Sequence, residues 1–211
     1  VCAPDEFYER LIIFAKEHDI IIIHDNAYSD IIYTRKQGRS FLSFDGAKEV
    51  GVEFYSLSKS FNLTGARISF VVGNKKIINK LKIFRSQIDY GVFLPVQYAA
   101  IAALTGPLDV VEEQRQEYEK RNKMLCGGLR SIGWNVPDSQ GTMFVWAKIP
   151  EKYKSSVEFC LDLMEKTGVI VTPGNAFGSR GEGYVRMALV VGEETISELL
   201  SVLEESNIFS K

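Results

Sequence analysis

The segment Ser56-Leu57-Ser58-Lys59 is followed, eight residues after the lysine, by Arg67 in Gly65-Ala66-Arg67. A lysine amine can attack an aldehyde and hold it covalently, while hydroxyls and an arginine fork can grip a phosphate. Upstream, His24-Asp25-Asn26-Ala27-Tyr28 offers a carboxylate and a phenol. A carboxylate can keep a pyridine nitrogen protonated, and a phenol can hydrogen-bond a ring oxygen. Taken singly, each residue has a plainer reading. Lys59 could be a solvated surface lysine, Asp25 a turn cap, Tyr28 a half-buried packing residue and Arg67 a surface ion-pair partner. Ser56 could simply end a strand, and Ser58 could serve the local backbone.

These side chains meet only if the elements around them run in particular directions. Residues 20–23, four consecutive isoleucines, read as a strand buried on both faces, with Asp25 and Tyr28 at its carboxyl end. Residues 53–56 read as a second strand, with Ser56 and Lys59 at its carboxyl end, and 68–73 as a third. The connection from His24 to Val52 is long enough for a crossover and predicts parallel pairing of the first two strands. The link from Ser56 to Ile68 is short and lacks helical periodicity, which predicts an antiparallel third strand if it pairs with the second. Ligands of open α/β sheets bind outside the carboxyl ends of the strands. A parallel first pair therefore gathers Asp25, Tyr28, Ser56 and Lys59, and an antiparallel third strand returns Arg67 to the same rim.

Elsewhere the pattern is helical before and after this region. Pro4 with Asp5 and Glu6 suits a helix start, and apolar spacing carries the helix to about residue 19. Further helices are expected at 75–90, 95–104 and 107–131. The last contains the expected boundary between a domain of residues 1–115 and one of residues 116–211. The remainder reads as a small α+β unit, with strands at 134–136, 142–149, 169–172 and 184–189 and helices at 156–167 and 193–206.

Composition narrows the function classes. The chain has 211 residues, 45% hydrophobic and 25% charged, with net charge −2. That balance, without a basic run, argues against nucleic-acid binding. The apolar runs fall short of the ~20 residues that span a bilayer, so no membrane partner is expected. Cys2, Cys126 and Cys160 are too scattered for a disulfide framework, and no secretory signal is seen, so a cytoplasmic location is expected. No His-Glu-x-x-His or Cys-x-x-Cys occurs, and no metal is expected. His24 reads equally as a packing residue or as one that tunes Asp25. The chain opens on Val1 with a helix-start signal, as a part of something longer would.

A covalent amine, a ring-nitrogen acid, a phenol and phosphate donors together suit one cofactor, pyridoxal 5′-phosphate. The sequence resembles the C-terminal half of the fold-type I, class I/II aminotransferases, near the aspartate and LL-diaminopimelate aminotransferase-like enzymes. The resemblance rests on Asp25-Asn-Ala-Tyr28, Ser56-Leu-Ser-Lys59, Gly65-Ala-Arg67, Pro173-Gly174-Asn-Ala-Phe177-Gly178 and Tyr184-Val-Arg186, in that order. It implies an α/β fold: an incomplete large domain, three-layered with a mostly parallel sheet, plus a small C-terminal α+β domain. It implies pyridoxal-phosphate-dependent transamination between an amino acid and a 2-oxo acid, with a homodimer as the working assembly. Lys59 would carry the cofactor and relay the proton, Asp25 would pair with the ring nitrogen, and Tyr28 with the ring oxygen. Ser56, Ser58 and Arg67 would bind the phosphate, and Arg186 the substrate α-carboxylate. A carbon–sulfur β-lyase would use the same residues, and a non-catalytic aminotransferase-like module would keep the fold.

Two departures from the family pattern stand out. Ser69 occupies a position where the family usually has glycine, a change expected to be tolerated. Family members also run to roughly twice this length, in line with two full domains. The part they carry in addition would hold a glycine-rich phosphate loop, a ring-stacking aromatic and an asparagine near the ring oxygen. Val1-Cys2-Ala3-Pro4 resembles the residues just after that asparagine's motif. The three strands read here would have absent neighbours on both sides, leaving sheet edges and apolar surface that favour association with another copy or with the remaining half.

Overall fold

Pro4, in an extended conformation (φ −73°, ψ 162°), leads directly into helix α1 (Asp5–Glu17), whose first turn carries Asp5 and Glu6 against the helix dipole. Tyr8, Ile12 and Ala15 recur at helical spacing and form its buried face. The computed structural model describes residues 2–34 and 38–209. The chain divides into two compact units, Val1–Arg115 and Gln116–Lys211.

In the first unit α1 is followed by β1 (Ile22–Asp25), the short helix α2 (Ala47–Val50), β2 (Gly51–Ser56), the single-turn helix α3 (Leu57–Ser60) and β3 (Ser69–Gly73). The sheet order is β1-β2-β3. β1 and β2 pair in parallel with Asp25 opposite Phe54. β2 and β3 pair antiparallel with Ser56 opposite Ser69. Both directions are those expected from the lengths of the connections. One face packs on a cluster of Tyr8, Ile12, Phe41 and Ala47, joined by Ile22, Leu42, Phe44 and Val50. Gly73 closes the sheet with φ 131°; a Cβ there would stand 2.6 Å from the Gly51 carbonyl oxygen, so only glycine fits without strain.

The isoleucine run differs from the expectation of a strand buried on both faces. The strand itself begins only at Ile22, and Ile21 and Ile23 are 59% and 68% exposed. Strand alternation turns Ile22 and His24 toward the packed cluster and Ile23 and Asp25 the other way, where no described element covers them.

Beyond β3, Asn74 caps α4 (Lys75–Ser86): its side-chain oxygen accepts from the Lys76 and Ile77 amides at 2.9 and 3.2 Å. Its amide group donates to the Glu49 carbonyl at 2.7 Å, tying the helix to the end of α2. α5 (Leu94–Thr105) and α6 (Asp109–Ser131) follow. α4 ends before the expected residue 90. It buries none of its residues and α5 buries only Ala100, leaving Ile83, Phe84, Phe93 and Leu94 exposed.

The second unit contains most of α6, β4 (Phe144–Lys148), α7 (Ser156–Thr167), β5 (Thr172–Pro173), β6 (Tyr184–Ala188) and α8 (Glu193–Glu205). Its sheet is antiparallel in the order β4-β6-β5. α7 has both ends written in its sequence. Ser155 accepts from the Glu158 amide at 3.1 Å, and Gly168 adopts the left-handed conformation (φ 71°) while its amide bonds Met164 O.

Residues 134–136, expected to form a strand, form none, because their bonds run elsewhere. The Trp134 amide reaches Leu129 O at 2.9 Å and its indole N–H reaches Lys148 O at 2.8 Å, with the ring between Phe159 and Phe209. Apolar burial made this segment look like a strand, but its role is to plug the core. Of the strand expected at 169–172 only Thr172 is extended in the sheet, in the two-residue β5 (Thr172–Pro173). No single helix among the described residues is long and apolar enough to cross a membrane.

Candidate functional site

The first unit gathers six of the seven candidate residues at one sheet end. Asp25 is the last residue of β1 and is exposed. Tyr28 lies in the turn that follows. Ser56 ends β2 and caps α3, its Oγ accepting from the Ser58 amide at 3.2 Å. Lys59 lies in α3, with its Nζ over the Tyr28 ring at 5.8 Å from the centroid. Gln114 fixes that turn from α6, donating to the Lys59 carbonyl at 2.6 Å.

Arg67 stands just before β3, two residues ahead of the Ser56–Ser69 pair, and so returns to the carboxyl end of β2. It is held in the left-handed region (φ 52°, ψ 46°), which is sterically costly for a residue with a Cβ. A chain of bonds fixes the loop. Thr64 Oγ1 donates to Ser58 O at 3.0 Å, and Arg67 Nη1 donates to Thr64 O at 3.1 Å. Ser58 itself is buried, whereas the Arg67 guanidinium is exposed. Ser69, at the usual glycine position, is an exposed residue of β3 with room for its hydroxymethyl group.

Among the described residues, no carboxylate pairs with the Lys59 ammonium and no donor is aimed at the Asp25 carboxylate. The site therefore presents an amine and an acid that remain available to a ligand. With Tyr28, the hydroxyls and Arg67, this donor set matches the needs of a phosphorylated pyridine aldehyde: an amine for the carbonyl, an acid for the ring nitrogen, and donors for the phosphate. Among the described residues no cluster of His, Cys, Asp or Glu could hold a metal ion.

Arg186 belongs to the second unit. It sits on β6 opposite Trp146 of β4, with its guanidinium carbon 4.3 Å from the Phe144 ring centroid and 4.4 Å from that of Phe177. Two aromatic faces thus hold the planar fork by cation–π attraction and fix its plane. Trp146 backs the arrangement, with ring centroids 5.7 Å from both Phe177 and Tyr184.

Sequence reasoning missed the aromatic clamp and one buried acid. Glu53, opposite His24 in the β1–β2 register, is only 5% exposed. Burial pushes its carboxyl up, but hydrogen bonds from His24, Asn26 and Ser40 outweigh this and bring it down to about 2. The available signal was a charged residue amid Gly51-Val-Glu-Phe-Tyr-Ser, since an acid in an apolar strand is rarely buried without partners. The sign of its pH effect follows directly. A carboxylate whose folded pKa is depressed stabilises the fold above its ordinary pKa, and that contribution fades as pH falls toward the folded value. Urea midpoints should therefore drop between pH 4.5 and about 2 more in the native sequence than in Glu53→Gln, which lacks the titrating group. Equal drops would show that Glu53 carries no such linkage.

Comparison with known proteins gives a consistent result. Residues 1–203 match the family model described as aminotransferase class I and II. The LL-diaminopimelate aminotransferase of Halothermothrix orenii is 51% identical over 206 residues, covering 98% of this chain and 53% of that protein. Glutamate-pyruvate aminotransferase AlaC of Escherichia coli is 41% identical over 201 residues, covering 94% of this chain and 49% of its own. Among solved structures, substrate-bound BacF from Bacillus subtilis superimposes with a TM-score of 0.94 at 38% identity, over 98% of this chain and 52% of that one. A probable N-succinyldiaminopimelate aminotransferase from Thermus thermophilus gives 0.90 at 33% identity, over 98% and 55%. The chain spans about half the length of the curated relatives it matches.

Proposed function

The chain belongs to the aminotransferase class I and II family, and from that premise we propose that it serves amino-group transfer between an amino acid and a 2-oxo acid with pyridoxal 5′-phosphate. When bound, that cofactor supplies an aldehyde for amine exchange and a protonated ring that withdraws electrons from the substrate α-carbon. Lys59 Nζ would be the amine that holds the cofactor and the group that moves a proton at the substrate α-carbon. Asp25 would keep the proton on the ring nitrogen in place, and Tyr28 Oη would hydrogen-bond the ring oxygen. Ser56, Ser58 and Arg67 would hold the phosphate. Arg186 grips the substrate α-carboxylate with two parallel N–H···O bonds, which a lysine ammonium could not copy.

In this reading residues 1–115 are the C-terminal part of the cofactor-binding large domain and 116–211 the small domain. The partners are the amino acid, the 2-oxo acid and a second copy in a homodimer, and the setting is the cytoplasm. The observation that carries the reading is the Lys59 amine, without an ion-pair partner among the described residues, facing Tyr28 at the joint carboxyl end of two parallel strands.

The direct test is to add pyridoxal 5′-phosphate, record the absorbance spectrum, reduce with borohydride and map the modified peptide. Reduction should fix the cofactor on Lys59. A label spread over other lysines, with Lys59 unmodified, would overturn the reading. Amine screening would start from LL-diaminopimelate and glutamate, after the names of the relatives.

A further inference from the structure

None of the roles above uses Glu53, a buried acid of the first unit. Its carboxylate receives His24 Nδ1 at 3.2 Å, Asn26 Nδ2 at 2.9 Å and Ser40 Oγ at 2.8 Å. The Leu42 amide approaches the same group at 3.5 Å. Two of these partners, His24 and Asn26, are the immediate neighbours of Asp25 in the chain. Alternation along β1 sends Asp25 to the exposed face, while the residues before and after it turn inward to Glu53. The Asn26 amide adds a bond to Phe54 O at 2.9 Å. The His24 ring is also held edge-on by Tyr8 and Phe41, with centroids 5.6 and 6.2 Å away.

We propose that Glu53 is the positioning residue for Asp25: one buried carboxylate grips the chain on both sides of that acid and sets where its carboxyl group stands at the rim. The assignment rests on the aminotransferase reading for what Asp25 contacts, but the gripping itself is independent of any cofactor. All the groups facing Glu53 have N–H or O–H to donate. An ionised carboxylate offers acceptors to all of them, and it orients the His24 ring by accepting a hydrogen bond from Nδ1–H. The bonds also join β1 to the segment around the turn at Phe41–Ser43, so the carboxyl end of β1 is braced from two directions. A leucine at position 53 would fill similar space and offer no acceptor. A glutamine would keep the shape and lose one of two acceptor oxygens.

Two readouts separate this role from general stabilisation. Without cofactor, peptide-level hydrogen exchange of the 211-residue chain should speed up by about 10- to 100-fold at residues 24–28 in Glu53→Leu. Glu53→Gln should show a smaller rise in the same peptides, and both should leave 116–211 unchanged. With pyridoxal 5′-phosphate bound, Glu53→Leu should change the visible spectrum of the lysine-held cofactor in the same sense as Asp25→Asn. The double variant should shift it no further than Asp25→Asn alone, because the two act through one contact.

Unchanged exchange at 24–28 in both variants would overturn the proposal, as would spectral effects that simply add. If Glu53→Leu opens the whole first unit, Glu53→Gln decides: a rise confined to 24–28 supports the role, and a uniform rise overturns it. Failure of the native chain to take up cofactor would count against the aminotransferase reading alone, and the exchange result would still decide on Glu53.

Discussion

Replacing Lys59 by alanine is expected to abolish covalent capture of pyridoxal 5′-phosphate and to lower amino-group transfer by at least about 10²- to 10⁴-fold, the range for loss of a positioned proton-transfer group. In the proposed reading two losses coincide, because one amine would both hold the aldehyde and move the α-proton. Arginine should not rescue it: a guanidinium stays protonated and offers no lone pair for attack. The fold should survive, since the Lys59 side chain makes no ion pair among the described residues and is partly exposed. What fixes the α3 turn is backbone and cap bonding from Ser56 and Gln114, which the substitution leaves alone. Absorbance and borohydride mapping, read beside thermal unfolding, check this. A variant that still shows a specific reduced adduct, or retains transfer, would remove Lys59 from its role.

Arg186→Lys is expected to raise KM for the amino acid by about 10- to 100-fold, the cost of a lost charge-assisted bond, while cofactor capture by Lys59 stays unchanged. The charge is kept, so the effect isolates the planar two-pronged geometry. Phe177→Ala makes the companion case. It leaves the guanidinium in place but removes one of the two rings, each about 4.4 Å away, that hold its plane. A cation–π contact of about 0.5–2 kcal/mol corresponds to roughly a 2- to 30-fold rise in KM. Steady-state kinetics on the two variants test the order. Unchanged KM in Arg186→Lys would mean that the carboxylate is bound elsewhere.

Much of this was legible along the chain, because it depends on local chemistry. Asn74, Ser155 with Glu158, and Gly168 mark helix ends through bonds to residues a few positions away. The short link to β3 and the long one to β2 fixed the strand directions, and with them the gathering of Asp25, Ser56, Lys59 and Arg67 at one end. What escaped depends on distant partners. Trp134 and Val136 look like a strand by composition, but the Trp134 indole spends its donor on Lys148 and the segment becomes a plug. The isoleucine run implied burial on both sides, yet Ile23 faces outward in this chain. Glu53 gave only the hint of an acid among apolar residues; its three bonding side chains come from two separate segments.

The clamp around Arg186 has a further use. The chain holds two tryptophans, and both, Trp134 and Trp146, lie in 116–211. Indole fluorescence therefore originates in one unit only. Trp134, 4% exposed, reports whether that unit's core is intact, whereas Trp146, 39% exposed and stacked on Tyr184, pairs across the strands with Arg186 and meets the Phe177 ring that holds its guanidinium. A Trp134→Phe background would leave a single emitter on the strand paired with the one that carries the proposed carboxylate-binding Arg186, an intrinsic optical gauge of substrate arrival that needs neither cofactor colour nor turnover.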